Sequence, residues 1–96
     1  MTERIGYVFR LFVAGNESNS VQARRNLTLL CEEHLKGRYQ IDIVDVLSDA
    51  ATALKYRVLL TPMLIMIKPS PRVTVLGNLN NRNEVLAAFR LIGEDR

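Results

Sequence analysis

Apolar and polar residues follow two patterns along the chain, one typical of buried strands and the other of amphipathic helices. Residues 5–13 are almost all apolar apart from Arg10, which predicts a central strand that is covered on both faces. Residues 16–20 offer polar side chains that can cap a helix, and apolar residues then recur at helical spacing up to residue 35. Gly37 follows as a left-handed stop. The chain therefore begins with a predicted strand and helix.

A second strand and a second helix are predicted next. Residues 39–46 begin with alternating polar and apolar side chains, as a strand does. Strand, helix and strand in this order nearly always give a parallel pair with a right-handed crossover. Ser48 precedes the alanine-rich residues 49–56, which predicts a helix that Ser48 caps and that has the acidic Asp49 at its positive end.

Prolines and a glycine divide the second half of the chain. Residues 63–67 form a short apolar run after Pro62, and the β-branched residues 72–76 precede Gly77, which together predict an antiparallel pair of strands. Residues 81–84 have the Asn-x-x-Glu form of a capping box, which starts a last helix. The apolar face of that helix contains Val85, Leu86, Phe89 and Ile92. The predicted order is βαβαββα in a single α/β domain, residues 1–96.

Composition and charge exclude several classes of protein. With 96 residues, 48% hydrophobic and 24% charged, the chain has the composition of a folded globular domain. The formal net charge of +3 is compatible with a nucleic-acid or acidic protein partner, but the basic residues are dispersed and no strand has an aromatic-studded basic pattern. No apolar run approaches the roughly 20 residues that span a bilayer, and no signal-like segment is present. We therefore expect a cytoplasmic protein that binds neither nucleic acid nor membrane.

The sequence has few residues of the types that most often act in catalysis or bind metals. Cys31 falls on the apolar face of the first helix, so a buried, inert side chain is favoured over a reactive thiol, and a single cysteine agrees with a reducing compartment. His34 lacks companions at metal-ligand spacing. No carboxylate stands beside a base, a nucleophile or a glycine-rich phosphate loop. The sequence predicts no catalytic residues, no metal and no cofactor.

The predicted order of elements is similar to that of a thioredoxin-like chain. Such a chain would carry two redox cysteines in residues 14–20, where this sequence has none. A proline that follows Thr61 just before an apolar strand matches the step that thioredoxin-like folds hold in cis, so we predict a cis bond before Pro62; an ordinary trans proline at the start of a strand is the alternative. These features favour a binding module over a thiol-dependent redox enzyme.

Several motifs closely resemble those of the KaiB family of bacterial circadian clock proteins. They fall at the family's spacing over nearly the whole chain and comprise residues 7–16, 19–21, 36–39, 43–47, 60–64, 69–71 and 77–82. The resemblance implies a non-enzymatic protein that docks onto the ring of a KaiC-type ATPase and in some systems then sequesters KaiA or competes with a sensor histidine kinase. An interaction module of a kinase or stress-response pathway outside the clock is the alternative.

The resemblance also implies two structures for the second half of the chain. One is the thioredoxin-like arrangement, as a monomer that binds KaiC, and the other is a rearranged order, βαββααβ overall, as a tetramer. We expect this chain to rest in the thioredoxin-like form, because Ala88 replaces a typical Gly and Arg90 a typical acidic residue, and both are predicted to stabilise the last helix. The positions that the resemblance relates to the switch are Pro62, Pro69, Pro71, Gly77, Ala88 and Arg90.

A surface for partner binding follows from the same resemblance. Its candidate residues, which we expect on one face of the domain with Arg57 as the basic anchor, are Tyr7, Arg57, Met63, Ile65 and Met66. Both methionines fall in an apolar strand, so core packing is their alternative role. The chain departs from the family by losing basic residues along this side, at Gln22, Asp42, Met66 and Thr74. The prediction is therefore a divergent KaiB-like binding protein.

Overall fold

The computed structural model describes residues 5–91, which form four strands and three helices in the predicted order. The elements are β1 (Tyr7–Val13), α1 (Ser18–His34), β2 (Tyr39–Asp45), α2 (Ala50–Lys55), β3 (Met63–Lys68), β4 (Val73–Leu76) and α3 (Arg82–Ala88). One sheet contains all four strands in the order β2-β1-β3-β4. The β1–β2 pair is parallel and the other two pairs are antiparallel. The second half has the predicted αββα order and not the rearranged one.

The larger core lies between one face of the sheet and the helices α1 and α3. Side chains alternate between the two faces of a strand, so Phe9, Leu11 and Val13 of β1 point to this core together. Leu27 of α1 and Phe89 after α3 pack against them, and the ring centroids of Phe9 and Phe89 are 4.7 Å apart. This layer joins the two halves of the chain.

The opposite face of the sheet carries a smaller core, formed by Phe12, Met63 and Ile65. Tyr56 and Val58, which follow α2, pack against it. The buried residues of α1 and α3 belong to the larger core, apart from Ser20. The residues that pack on the smaller core come from β2 and the position after it, from β3 and from the segment after α2. Because α2 has only six residues, part of this face stays open.

The starts of α1 and α3 agree with the capping signals in the sequence, whereas α2 is capped by Asp49 and not, as predicted, by Ser48. The Glu17 carboxylate accepts the backbone N–H groups of Asn19 and Ser20 at the start of α1, and the hydrogen bond from Asn19 is the main reason that the pKa of Glu17 is lowered. Asp49 caps α2 by accepting the N–H of Thr52 at 3.1 Å. Asn81 caps α3 by accepting the N–H of Glu84 at 3.2 Å.

The end of α3 differs from the prediction. Phe89 is the C-cap, and Arg90 has a φ of 62°, which is left-handed and cannot continue a helix. The N–H of Arg90 donates to the Ala87 carbonyl and the N–H of Leu91 to that of Leu86, which is the Schellman arrangement. The prediction that Arg90 lies in the last helical turn is therefore wrong. Its guanidinium instead donates to the Pro69 carbonyl at 3.1 Å, and Ile92 lies outside the described residues.

The prolines of the second half all follow cis peptide bonds. The Thr61-Pro62 bond is cis, as predicted, and so are the bonds before Pro69 and Pro71. Gly77 has a φ of 99°, a conformation that favours glycine, and its N–H donates to the Pro62 carbonyl at 3.0 Å. This hydrogen bond holds the end of β4 against the start of β3.

Candidate partner-binding surface

Residues 14–20 are held by hydrogen bonds. A thioredoxin-like redox protein would carry its cysteines in this segment. Gly15 has a φ of 53°, and its N–H donates to the Asp45 carboxylate at 3.0 Å. The same carboxylate oxygen accepts the N–H of Leu47, and the Ser20 hydroxyl accepts the N–H of Ala14. Residues 14–20 place no cysteine at this end of the sheet, and the Ser20 hydroxyl serves the backbone.

Cys31 is fully buried on α1, within the larger core. Burial is the main cause that raises the pKa of its thiol to about 12, and the neighbouring Glu32 charge acts in the same direction. The thiol is therefore protonated at neutral pH, and a thiolate is the reactive form of cysteine.

We expect Cys31→Ala to remove packing and no chemistry. The free energy of unfolding should fall by about 1 kcal/mol, a usual size for a small loss of buried volume, while partner binding is retained. In the native protein at pH 7 the thiol should react with a thiol reagent only after denaturation. A disulfide reductase or peroxidase activity that disappears in Cys31→Ala would contradict this expectation.

His34 and its acidic neighbours form surface ion pairs. The His34 Nε2 atom lies 4.0 Å from the Glu33 carboxylate, which also pairs with Arg82 at the start of α3. Within residues 5–91 no three histidine, cysteine or carboxylate side chains lie together as metal ligands would. The Glu33–Arg82 pair joins α1 to α3, and neither contact offers a coordination geometry.

A groove of about 490 Å³ opens on the less covered face of the sheet, and we call it the basic groove. Its lining comes from the end of α2, from β3 and from β4, and consists of Lys55, Tyr56, Arg57, Met63, Ile65, Arg72 and Thr74. Three of these side chains are cationic and none is acidic. The groove is therefore a positively charged opening over an apolar floor.

Arg57, which lines the groove, has an unfavourable backbone conformation. Its φ is 57°, and it ends α2 in the same Schellman arrangement as Arg90 ends α3, with its N–H on the Leu54 carbonyl and the Val58 N–H on that of Ala53. A left-handed residue other than glycine costs about 1–2 kcal/mol. Strain of this kind is found most often at functional sites.

Tyr56 contacts two arginines along one wall of the basic groove. The Arg10 guanidinium donates to the Tyr56 hydroxyl at 2.5 Å and to the Asp42 carboxylate at 3.2 Å. It lies 5.2 Å from the centroid of the Tyr56 ring, and the Arg72 guanidinium lies 5.8 Å from the same centroid, both within cation–π range. Asp42 is thus neutralised by Arg10. Within residues 5–91, the three cations that line the groove form no ion pair.

The structure brings together three of the five predicted contact residues. Arg57, Met63 and Ile65 line the groove. Met66 is fully buried in the larger core on the other face, and Tyr7 packs there with its ring stacked on Phe9 at 6.2 Å. The prediction that all five share one face is therefore wrong, because side chains alternate along a strand and Ile65 and Met66 point to opposite sides.

Sequence reasoning missed three residues of the groove, Lys55, Tyr56 and Arg72, and it placed Thr74 on this side only as a lost basic position. The signal for the β4 side of the groove is the register between the two last strands, in which Ile65 pairs with Thr74 and Met63 with Leu76. Alternation then places Thr74 and Leu76 on the groove side. Leu76, the pairing partner of Met63, is 55% exposed on this side of the sheet, next to the groove.

Solved structures with the same arrangement are thioredoxin-like. The germline thioredoxin Deadhead of Drosophila melanogaster superposes with a TM-score of 0.71 at 12% identity, over 92% of this chain and 83% of the other. The N-terminal domain of Synechococcus elongatus SasA does so with a TM-score of 0.71 at 16% identity, over 100% and 92%. The likeness at these identities shows the fold alone. The molecule is a thioredoxin-like protein without the redox cysteine pair.

A sequence model of the KaiB domain matches residues 10–91, and the chain belongs to the KaiB family. The circadian clock oscillator protein KaiB of Thermosynechococcus vestitus is 38% identical over 89 residues, which cover 93% of this chain and 82% of that protein. KaiB of Gloeothece citriformis is 35% identical over 94 residues, covering 98% and 89%. The predicted family is confirmed. No helix among residues 5–91 has the length and apolar character to cross a membrane.

Proposed function

We propose that the chain is a regulatory binding protein that docks onto the ring of a KaiC-type ATPase through the basic groove, in its thioredoxin-like form and as a monomer. The observation that carries the proposal is the groove itself, in which cationic side chains without an ion pair among residues 5–91 surround an apolar floor. Membership of the KaiB family and the clock names of its relatives support this choice of partner.

The composition of the groove suits a protein partner. Arginine and tyrosine are enriched in the centres of protein interfaces, where they provide most of the binding energy. Exposed cations also raise the rate of association with an acidic partner. Arg57, Arg72 and Tyr56 offer these contacts side by side. A thioredoxin-like body that lacks the cysteine pair supports binding, and not redox catalysis, as the activity.

A second candidate is an interaction module of a kinase or stress-response pathway outside the clock. The observation that favours it is the lack of a positive charge at Asp42 and Thr74, two positions where the family resemblance implies basic residues. Asp42 is neutralised by Arg10, so this part of the sheet presents less positive charge than a clock protein would. KaiA and a sensor histidine kinase are further partners that the proposal includes.

The proposal predicts that Arg57→Glu weakens docking onto a KaiC-type ATPase encoded in the same genome. Reversing one charge in the groove should reduce affinity at least about tenfold, or about 1.4 kcal/mol, as measured by calorimetry with the purified ATPase. Arg24→Glu makes the same charge change on the exposed side of α1, away from the groove, and should stay within about twofold of the native affinity. Equal affinities for native and Arg57→Glu protein would contradict the proposal.

A further inference from the structure

Arg72 lies at the rim of the basic groove although the resemblance to the family does not point to this position. It directly precedes β4, and alternation along that strand places it on the same side as Thr74 and Leu76. Thr74 occupies a position where the family resemblance implies a basic residue. The chain therefore has a cation two residues before that position, on the same face of the sheet.

Contacts on both sides of Arg72 hold it at the rim. Its guanidinium lies 5.8 Å from the Tyr56 ring centroid, and the Tyr56 ring in turn packs on Phe12, with 5.5 Å between centroids. The turn that precedes Arg72 is fastened by Arg90, whose guanidinium donates to the Pro69 carbonyl at 3.1 Å. The position of the cation is thus set by a partly buried aromatic ring that packs on the buried Phe12, and by the turn that Arg90 holds.

The charge of the groove indicates the chemistry of its occupant. Lys55, Arg57 and Arg72 line it, and no carboxylate does. Like charges that share an opening repel each other, so an anionic occupant lowers the electrostatic energy. Met63 and Ile65 are nearly closed off beneath the cations, at 8% and 5% exposure, while Leu76 beside them is open. Carboxylates at the rim and one apolar side chain at Leu76 would complement this surface.

We infer that the basic groove takes an acidic segment of the partner protein, and that Arg72 is the cation that determines this specificity in place of residue 74. Asp or Glu side chains of the segment pair with Arg72 and Arg57, and an apolar side chain rests against Leu76. The inference rests on the proposed function for the identity of the partner, but its chemistry can be tested with or without that partner.

The first test relocates the charge. Arg72→Thr should weaken binding of the purified KaiC-type ATPase about tenfold and make it less dependent on salt, because one ion pair is lost. The double variant Arg72→Thr with Thr74→Arg returns the cation to the same face and should recover most of the affinity. Arg25→Thr on α1 removes the same charge elsewhere and should change affinity less than about twofold. Native affinity in Arg72→Thr would overturn the inference while leaving the proposed function intact.

The second test applies if the ATPase does not bind the native chain, in which case the proposed function fails by itself. The full isotope-labelled chain is titrated with a synthetic acetylated peptide of Glu and Leu residues, and separately with a matched peptide of Lys and Leu residues. Shift changes at Tyr56, Ile65 and Thr74 that occur with the acidic peptide only, and disappear in Arg72→Thr, support the inference. No shift change, or equal changes with both peptides, overturns it.

Discussion

Replacing Ala88 by Gly and Arg90 by Asp together is expected to destabilise the thioredoxin-like form by about 2–3 kcal/mol. Gly in place of Ala costs about 1 kcal/mol in a helix, and the Ala88 methyl group that packs against the larger core is also lost. Asp at position 90 removes the hydrogen bond to the Pro69 carbonyl and adds a negative charge at the negative end of α3, which costs about 1 kcal/mol more.

A change of this size is large for a chain whose second half, as the resemblance implies, has two structures open to it. If the two forms differ by a few kcal/mol, as in other fold-switching proteins, the double variant should populate the rearranged form as a visible second species. Backbone chemical shifts and sedimentation would detect it as new second-half signals and a larger assembly. Lys36→Asp, which makes the same charge change beyond the end of α1, should leave the second-half shifts unchanged. A double variant with native stability and native shifts would refute this explanation of Ala88 and Arg90.

Arg57→Gly is expected to make the protein more stable and a weaker binder. Glycine is the preferred residue at the left-handed position after a helix, so relief of the backbone strain should raise the free energy of unfolding by about 1 kcal/mol. Loss of the guanidinium from the groove should reduce affinity for the KaiC-type ATPase about tenfold.

Thermal or urea unfolding and calorimetry on the same preparation measure both effects. Arg57→Lys is the matched control: it keeps the charge and the left-handed backbone, so stability should stay native and affinity should fall only about threefold or less. A lower stability of Arg57→Gly would contradict the statement that the backbone is strained at residue 57. If it is more stable and binds normally, Arg57 is not an anchor of the interface.

Local signals allowed the order of elements to be predicted. The cap at Asn81 and the proline step at Pro62 act over a few residues, and α3 and β3 begin where these signals place them. The ends of α2 and α3 could not be read in the same way. Each helix stops at an arginine in the left-handed conformation, Arg57 and Arg90, where glycine is the usual signal.

The groove could be predicted only in part, because it depends on contacts between distant segments. Arg57, Met63 and Ile65 came from the family resemblance, and the structure does bring them together. Arg72 joins them through the pairing of β3 with β4 and through Tyr56, which lies at the end of another element. Met66 was predicted to lie on this face and does not. A resemblance in sequence does not say which face of a strand a side chain occupies.

Backbone chemical shifts of the free native chain in solution test the central claim most directly, because the basic groove exists only in the thioredoxin-like arrangement. The account predicts one major species with helical shifts over Ala50–Lys55 and Arg82–Ala88 and extended shifts over Met63–Lys68. A major species with extended shifts around Lys55 and helical shifts from Met63 to Met66 would contradict it.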